Sequence, residues 1–266
     1  MHVSFDSNVW EELFHPSSME SHQPEAFEVI RDRLQRHVIT GCFCEAAFRI
    51  EAIQKIWRAK YLARCQPMFL TQRAASNDES RVALFSIGPN DSLHPGLATK
   101  QRPKFEQAIA HGFKLLRGQN WIFLPQAKFG NLPTQYVEET KDQASAREIV
   151  QAEVFYAIQQ RGVGMGKLHE LRERIDRRLG VEHWGWSAFG HVANEPDIKE
   201  ISLACAEWAD AELVSAHHAY GNEYLCTNDR ARATKCSIFD RTNREWLQQE
   251  YGLRIVDVNE LVEMLH

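Results

Sequence analysis

The stretch that decides the fold spans residues 210–229 and reads DAELVSAHHAYGNEYLCTND. Its first half continues an apolar periodicity that begins at Ile198 and predicts a long helix ending near Tyr220. Residues 223–227 then form a short β-prone run, and Asp229 follows two positions later. A carboxylate directly behind a parallel strand lies at the carboxyl edge of the sheet, where such sheets bind ligands. The stretch therefore predicts an α/β sheet with an acidic edge.

The N-terminal residues repeat this arrangement. Residues 3–5 are a short β-prone run that ends at Asp6. Hydrophobic spacing predicts a helix over residues 24–36 and a second strand over residues 37–41. A further helix begins at Glu45, and one apolar stripe runs along it at helical spacing: Ala46, Ile50, Ile53 and Trp57. A β-α-β-α order of this kind is typical of α/β sheets.

The C-terminal end supplies a last strand over residues 253–258 and a short helix capped by Asn259. Turn residues dominate the middle of the chain, where five weaker elements are predicted: a hairpin near 82–85, a helix over 104–116, a third strand over 121–124, and helices over 144–160 and 167–179. We expect one domain over residues 1–266, a Rossmann-like three-layer α/β/α sandwich with a central parallel sheet. A largely helical insertion would occupy about residues 59–194.

Composition narrows the class of protein. The 266 residues are 44% hydrophobic and 25% charged, which is typical of a globular chain. A net charge of −5 excludes a uniformly cationic surface for duplex DNA or anionic membranes. The start lacks a secretory signal and no apolar run is long enough to span a membrane, so we expect a cytoplasmic protein. The six cysteines form no C-x-x-C pair, which favours buried thiols over a zinc site.

Four acidic residues stand where a parallel sheet would bring them together. Asp6 and Asp229 follow strands, and Glu45 opens the helix after the second strand. Asp210 lies on the same helical face as Leu213, Val214 and His217, where a charge needs a partner. Converging carboxylates repel one another unless a cation neutralises them, and an oxygen-only ligand set suits Mg²⁺ or Mn²⁺.

Each of these four residues also has a simpler interpretation. Asp6 could cap a turn, and Glu45 could pair with Arg49 one helical turn later. Asp229 could hold Arg230 or a loop amide, and Asp210 could face water if the helical phase differs. The order of the set along the chain is therefore stronger support for a metal site than any one of its members.

At these residues the sequence resembles a PIN domain. The resemblance covers roughly residues 1–58 and 195–265, with residues 119–125 as a weaker candidate for the central strand, and its most specific part is residues 210–229. It implies a Rossmann-like sandwich and a metal-dependent nuclease that acts on RNA or, in relatives, on structured DNA. Asp6, Glu45 and Asp210 would be the acidic triad, and Asp229 the fourth acidic position. Asn8 and Thr227 match polar positions that support such a site.

The functional hypothesis is a Mg²⁺- or Mn²⁺-dependent endoribonuclease of PIN type. Many small members of the family are toxins held by an antitoxin, but this chain is far longer, and residues 59–194 depart from the compact pattern. The expected partners are RNA, an antitoxin or another protein, and a second copy in a homodimer. Arg230, Arg232 and Lys235 are candidate contacts for substrate phosphate. A catalytically silent PIN-like binding module and a structure-selective DNA nuclease are the alternatives.

Two further features have both a structural and a functional interpretation. His217 could assist the chemistry or contact phosphate, although a core or surface histidine is the more ordinary interpretation. The aromatic residues Trp184, Trp186 and Phe189 could stack on bases, but packing of an irregular loop onto the sheet is favoured because aromatic side chains dominate protein cores.

Overall fold

The computed structural model describes residues 1–14, 23–70, 84–89, 101–119, 135–231 and 237–265. Its central sheet has five strands, all parallel, in the order β5-β2-β1-β6-β7. These strands are β1 (His2–Phe5), β2 (Thr40–Cys44), β5 (Lys114–Leu116), β6 (Tyr224–Cys226) and β7 (Ile255–Val256). A separate antiparallel pair consists of β3 (Cys65–Leu70) and β4 (Leu84–Pro89). The predicted α/β class with a parallel central sheet is confirmed.

The helices that the structure describes fall between and after these strands. The first five are α1 (Ser7–Leu13), α2 (Pro24–Gln35), α3 (Ala46–Arg49), α4 (Arg58–Ala63) and α5 (Arg102–Ala110). The next five are α6 (Lys141–Gln160), α7 (Met165–Leu179), α8 (Glu195–Ala219), α9 (Arg241–Tyr251) and α10 (Val258–Met264). Lys55–Trp57 and Ser187–His191 form short 3₁₀ helices. Among these elements no helix is both long enough and apolar enough to cross a membrane.

Helices cover both faces of the sheet, as a parallel sheet requires. Alternate side chains of β2 point to opposite faces, so Phe43 joins the core formed with α1, α2, α5 and α10. Cys42 and Cys44 join the core formed with α3, α4, α6, α7, α8 and α9. The two clusters make the three layers that the sequence predicts. One strand from the expected insertion, β5, is part of the central sheet and pairs with β2.

Several predicted boundaries are wrong. The helix expected over residues 104–116 ends at Ala110, and its last residues instead form β5 after Gly112, which has a φ of 83°. The second strand begins three residues later than expected, at Thr40. The final helix is capped by Asp257, whose carboxylate accepts the amide of Glu260 in a capping box, and not by Asn259. The strand expected over residues 121–124 lies outside the described residues.

The helix expected to run from Glu45 through Trp57 is interrupted. α3 ends at Arg49, and a turn leads to the 3₁₀ helix Lys55–Trp57 before α4 begins. Ile53 is buried as the apolar stripe predicts, but Trp57 is half exposed. Because the helix is broken here, Glu51 is oriented differently from its position in one continuous helix.

His217 belongs to the packing between α8 and the sheet. Its Nδ1 lies 3.0 Å from the Ser4 hydroxyl oxygen, and that hydroxyl also accepts from Asn222 Nδ2 at 2.7 Å. The Ser4 hydroxyl keeps its own proton available to donate to His217 Nδ1. Burial lowers the pKa of His217 to about 3. The structural interpretation of His217 therefore holds.

We predict an acid-dependent loss of stability from this histidine. The pKa of His217 is lower in the folded state than in the unfolded state. The stabilising contribution of the neutral imidazole to the free energy of unfolding is therefore complete above the unfolded pKa near 6.5 and falls as the pH drops toward 3. Relative to His217→Asn, which keeps an acceptor, the wild-type protein should lose about 2.5 kcal/mol of unfolding free energy between pH 7 and pH 4.5. Urea denaturation at both pH values measures this difference, and parallel losses in the two proteins would contradict it.

Candidate metal centre

The carboxyl ends of β1 and β6 lie side by side in the middle of the sheet. Phe5 pairs with Cys226 in the parallel register, and the amide of Asp6 donates to the carbonyl of Cys226 at 3.0 Å. The buried residues that follow the two strands, Asp6 and Thr227, are therefore neighbours. The Thr227 hydroxyl donates to Asp6 Oδ2 at 2.6 Å. This contact joins two residues that are 221 positions apart in the chain.

Three further donors fix the Asp6 carboxylate. As the N-cap of α1, Asp6 accepts the amide of Ser7 on Oδ1 at 2.6 Å. Asn8 Nδ2 donates to Oδ2 at 2.7 Å, while Asn8 Oδ1 accepts the amide of Asn228 at 3.2 Å. The Ser7 hydroxyl adds a longer contact of 3.4 Å to Oδ1. Asn8 thus ties the loop after β6 to the start of α1 and holds Asp6 in one orientation.

Asp229 lies beside this pair at the end of the same loop. Its amide donates to Thr227 Oγ1 at 3.0 Å, and its Oδ1 accepts the amide of Ala231 at 2.6 Å. Its carboxylate therefore does hold a loop amide, as the simpler interpretation proposed. It is also close enough to Asp6 that its charge adds to the rise in the Asp6 pKa, whose largest cause is burial.

Asp210 reaches the same edge from α8. The residue is half-buried, and its pKa is raised well above the ordinary value, first by burial and then by the negative charges of Asp6 and Glu51. Glu207, one helical turn earlier, and Asp229 add smaller repulsions. Glu207 is itself buried and accepts the amide of Ile238 at 3.0 Å.

Glu51 is the member of this group that the sequence analysis missed. The Ser7 hydroxyl lies 3.3 Å from Glu51 Oε1 and so links Glu51 to Asp6. Burial, followed by the charge of Asp6, raises the pKa of Glu51 to about 8. In an unbroken helix Glu51 would lie far around the axis from Glu45, but the break after Arg49 turns it toward α1. We call Asp6, Glu51, Asp210 and Asp229 the acidic cluster.

Glu45 has a different set of partners. It forms a buried ion pair with Arg49 and accepts from the Tyr136 hydroxyl. The amide of Gly118, after β5, donates to the same carboxylate at 3.1 Å. The neighbouring carboxyl of Glu212 is also buried, and burial raises its pKa to about 7. The i, i+4 pairing weighed for Glu45 is thus what the structure contains, and its role as a metal ligand stays a prediction.

The chemistry of the acidic cluster suits a divalent cation. All four members offer carboxylate oxygens, and three have pKa values raised by burial and by one another's charge. A bound Mg²⁺ or Mn²⁺ would remove that repulsion. Within the described ranges no three Asp, Glu, His or Cys side chains already stand at ligand distances. The residues present fit the ion, and the side chains would have to draw closer to hold it.

Of the three basic residues expected to contact substrate phosphate, the structure describes only Arg230. Arg230 forms an ion pair with Asp257 at 2.6 Å and remains largely exposed, while Arg232 and Lys235 lie outside the described residues. Behind Thr227, a pocket of about 390 Å³ is lined by acidic and apolar residues and three arginines: Arg230, Arg241 and Arg244. Arg244 donates to the backbone carbonyls of Asp229 and Phe239 and so anchors the loop that carries Asp229.

The aromatic loop near residue 186 is mainly structural. Trp186 and Phe189 are buried and stack with their ring centres 5.7 Å apart. Trp184 is exposed. Packing onto the core, the favoured interpretation, therefore describes two of these three residues.

Comparisons with known proteins do not place the chain in a family. No family model, no curated protein and no solved structure matches it. The resemblance to a PIN domain therefore rests on the residues quoted above, and the function has to be argued from the site.

Proposed function

We propose that this protein is a divalent-metal-dependent nuclease, an endoribonuclease of PIN type. The observation that supports it is the gathering of Asp6, Glu51, Asp210 and Asp229 at the carboxyl edge of a parallel sheet. Like charges held close together at low exposure weaken a fold, so a group of this kind marks a candidate functional site. Binding a cation together with a phosphodiester is a function that suits such a site.

The chain contributes position and charge to this reaction. Asp6 is held by Thr227, Asn8 and the amide of Ser7, so its free lone pairs keep one direction. Asp210 reaches the site from α8. Glu51 and Asp229 complete a set of possible ligands that consists only of carboxylate oxygens. When bound, Mg²⁺ or Mn²⁺ would supply a water of lowered pKa for in-line attack on phosphorus and positive charge at the leaving oxygen. No side-chain nucleophile is required.

The remaining parts of the proposal follow from the sequence. Glu45, the expected third member of the triad, would help the site indirectly unless it moves from Arg49 toward the metal. Arg230, Arg232 and Lys235 would meet the phosphate backbone near Asp229. A cytoplasmic location, an RNA substrate, an antitoxin or other protein partner and a homodimer remain part of the hypothesis.

Metal binding is the first test. Titration of Mn²⁺ into the protein at pH 7.5 should show saturable heat, and the melting temperature should rise by about 5 °C or more near 100 times the dissociation constant. The protein should then cleave a labelled single-stranded RNA only when the metal is present, and chelation should stop the reaction. A flat titration with an unchanged melting temperature would contradict the proposal.

A catalytically silent PIN-like module is the second candidate. Two observations favour it. Among the described residues no three side chains form a group that could hold a metal. The carboxylate of Asp6 also already accepts hydrogen bonds from Ser7, Asn8 and Thr227. Such a module would bind RNA or a protein without taking up Mn²⁺. A structure-selective DNA nuclease is distinguished by substrate: cleavage of flap or single-stranded DNA, with RNA of the same sequence left intact, would replace the RNA assignment.

A further inference from the structure

The break between α3 and α4 exposes an apolar surface on the segment that follows Glu51. Trp57 is 50% exposed and Ile56 is 63% exposed, both on the 3₁₀ helix that precedes α4. The sequence places Trp57 on the buried stripe of a continuous helix, and the break is what turns its indole toward solvent. An indole that is open on a rigid surface can stack on a nucleobase.

The segment that carries Trp57 is held firmly. The next residue, Arg58, is buried, and its guanidinium donates to the carbonyls of Ile53 at 3.1 Å and of Ser202 at 2.8 Å. Ser202 lies on α8, the helix that carries Asp210, and the 3₁₀ helix also packs against α8. The position of the Trp57 backbone is therefore fixed relative to α8.

Positive charge lies beside the ring. Lys60 Nζ lies over one face of the Trp57 ring, 5.0 Å from the ring centre, which is a cation–π distance. Lys55 is also exposed on the same short helix. A base would therefore stack on the ring face opposite Lys60, while the ammonium groups of Lys60 and Lys55 would attract the phosphates of the same strand.

The distance to the acidic cluster suits one strand of RNA. Trp57 is six positions after Glu51, so their Cα atoms lie at most about 22 Å apart even if the segment were fully extended. A stacked strand advances about 3.4 Å per nucleotide and would cover that span in about six nucleotides or fewer. A base stacked on Trp57 and a phosphate at the acidic cluster can therefore belong to the same short oligonucleotide.

We propose that Trp57, with Lys60 over one face of its ring, is a stacking platform on its other face for a base of single-stranded RNA a few nucleotides from the bond at the acidic cluster. The proposal rests on the proposed function and narrows its substrate to single-stranded RNA. The alternative is that Trp57 and Ile56 bind a partner protein, and the experiment must distinguish this from RNA binding.

The experiment measures binding of a fluorescein-labelled 12-nucleotide single-stranded RNA by anisotropy, with Mg²⁺ present. All variants are made in the full chain carrying Asp210→Asn, which keeps the RNA uncleaved. Trp57→Ala should weaken binding about tenfold, the lower part of the range measured for base stacking, while Trp57→Phe should retain most of the affinity. Lys60→Gln should reduce the salt slope of log K by roughly one.

Tyr156→Ala is the matched control. Tyr156 is 62% exposed on α6, a helix that carries no member of the acidic cluster. Its loss should leave RNA affinity unchanged, and melting curves should show all variants folded. Equal affinity of Trp57→Ala and its parent, or an equal loss in Tyr156→Ala, would overturn the platform.

Failure of the platform and failure of the proposed function give different results. If the wild-type chain cleaves RNA with Mn²⁺ and Trp57→Ala binds as tightly as its parent, only the platform is wrong. If Trp57→Ala weakens binding while the wild-type chain takes up no Mn²⁺ and cleaves nothing, the platform is supported and the protein is a silent RNA-binding module.

Discussion

Asp210→Asn should abolish RNA cleavage and at the same time make the protein more stable. Asp210 lies among the charges of Asp6, Glu51 and Asp229, so under the proposed function its replacement would remove a metal ligand. Changes one shell away from a metal already reduce affinity or activity by 10- to 100-fold, and we expect a loss of at least about 100-fold here. Cleavage of labelled single-stranded RNA under saturating Mn²⁺ measures this loss.

The gain in stability has a definite pH dependence. The pKa of Asp210 is raised in the folded state, so the unfolded chain loses this proton more easily and the fold is penalised as the pH rises above the ordinary value near 4. Removing the carboxylate should therefore stabilise the metal-free protein by about 1–2 kcal/mol at pH 8, or roughly 3–6 °C, and by much less at pH 4. Thermal melts at both pH values give the comparison.

Asp32→Asn serves as the control for this prediction. Asp32 forms an exposed ion pair with Arg36 on α2, a type of interaction that contributes little to stability. The control should cleave RNA normally and melt within about 2 °C of the wild-type protein, the range expected for a weak surface pair. Unimpaired cleavage by Asp210→Asn would remove Asp210 from the site and with it the main support for the proposed nuclease.

The second large effect concerns Glu45. Its carboxylate and the guanidinium of Arg49 form a buried pair, and removing one partner of such a pair destabilises a protein by about 3–5 kcal/mol because the other charge stays buried. Glu45→Gln also weakens the acceptor for the Tyr136 hydroxyl. We expect the free energy of unfolding, measured in urea, to fall by about 3 kcal/mol at pH 7.5.

Glu51→Gln is the contrasting variant. The folded-state pKa of Glu51 is raised from 4.5 to about 8, so ionising it weakens the fold as the pH rises between those values. The substitution should stabilise the metal-free protein at pH 8 and weaken Mn²⁺ binding at least tenfold, while Glu45→Gln should leave Mn²⁺ affinity within a few-fold. If Glu45→Gln weakened Mn²⁺ binding at least tenfold and Glu51→Gln did not, Glu45 would be the metal ligand, as the resemblance to a PIN domain implies.

Much of the architecture is readable from the sequence because parallel strands have a strong local signal. Short β-prone runs that end in a carboxylate mark β1 and β6, and both occur where the structure has them. The sequence predicts a helix through β5 because the apolar spacing of α5 continues through residues 113–116. Gly112 was the available signal, since its positive φ ends the helical path.

The site was readable to the extent that it depends on strand ends. Asp6 and Asp229 are placed at the edge by the strands they follow, and Asp210 by the phase of α8. Glu51 could not be found this way because its orientation depends on the break after Arg49. That break is stabilised by long-range contacts such as Arg58 with the Ser202 carbonyl, which local periodicity does not contain.

The position of β1 between β2 and β6 affects how the protein is made. During synthesis the first strand and Asp6 leave the ribosome early, but the strand that pairs with them and carries Thr227 to the same edge is translated more than 200 residues later. The acidic cluster cannot assemble until residue 229 has emerged. Under the proposed function, the nascent chain therefore cannot cleave its own mRNA or the ribosomal RNA during most of its translation.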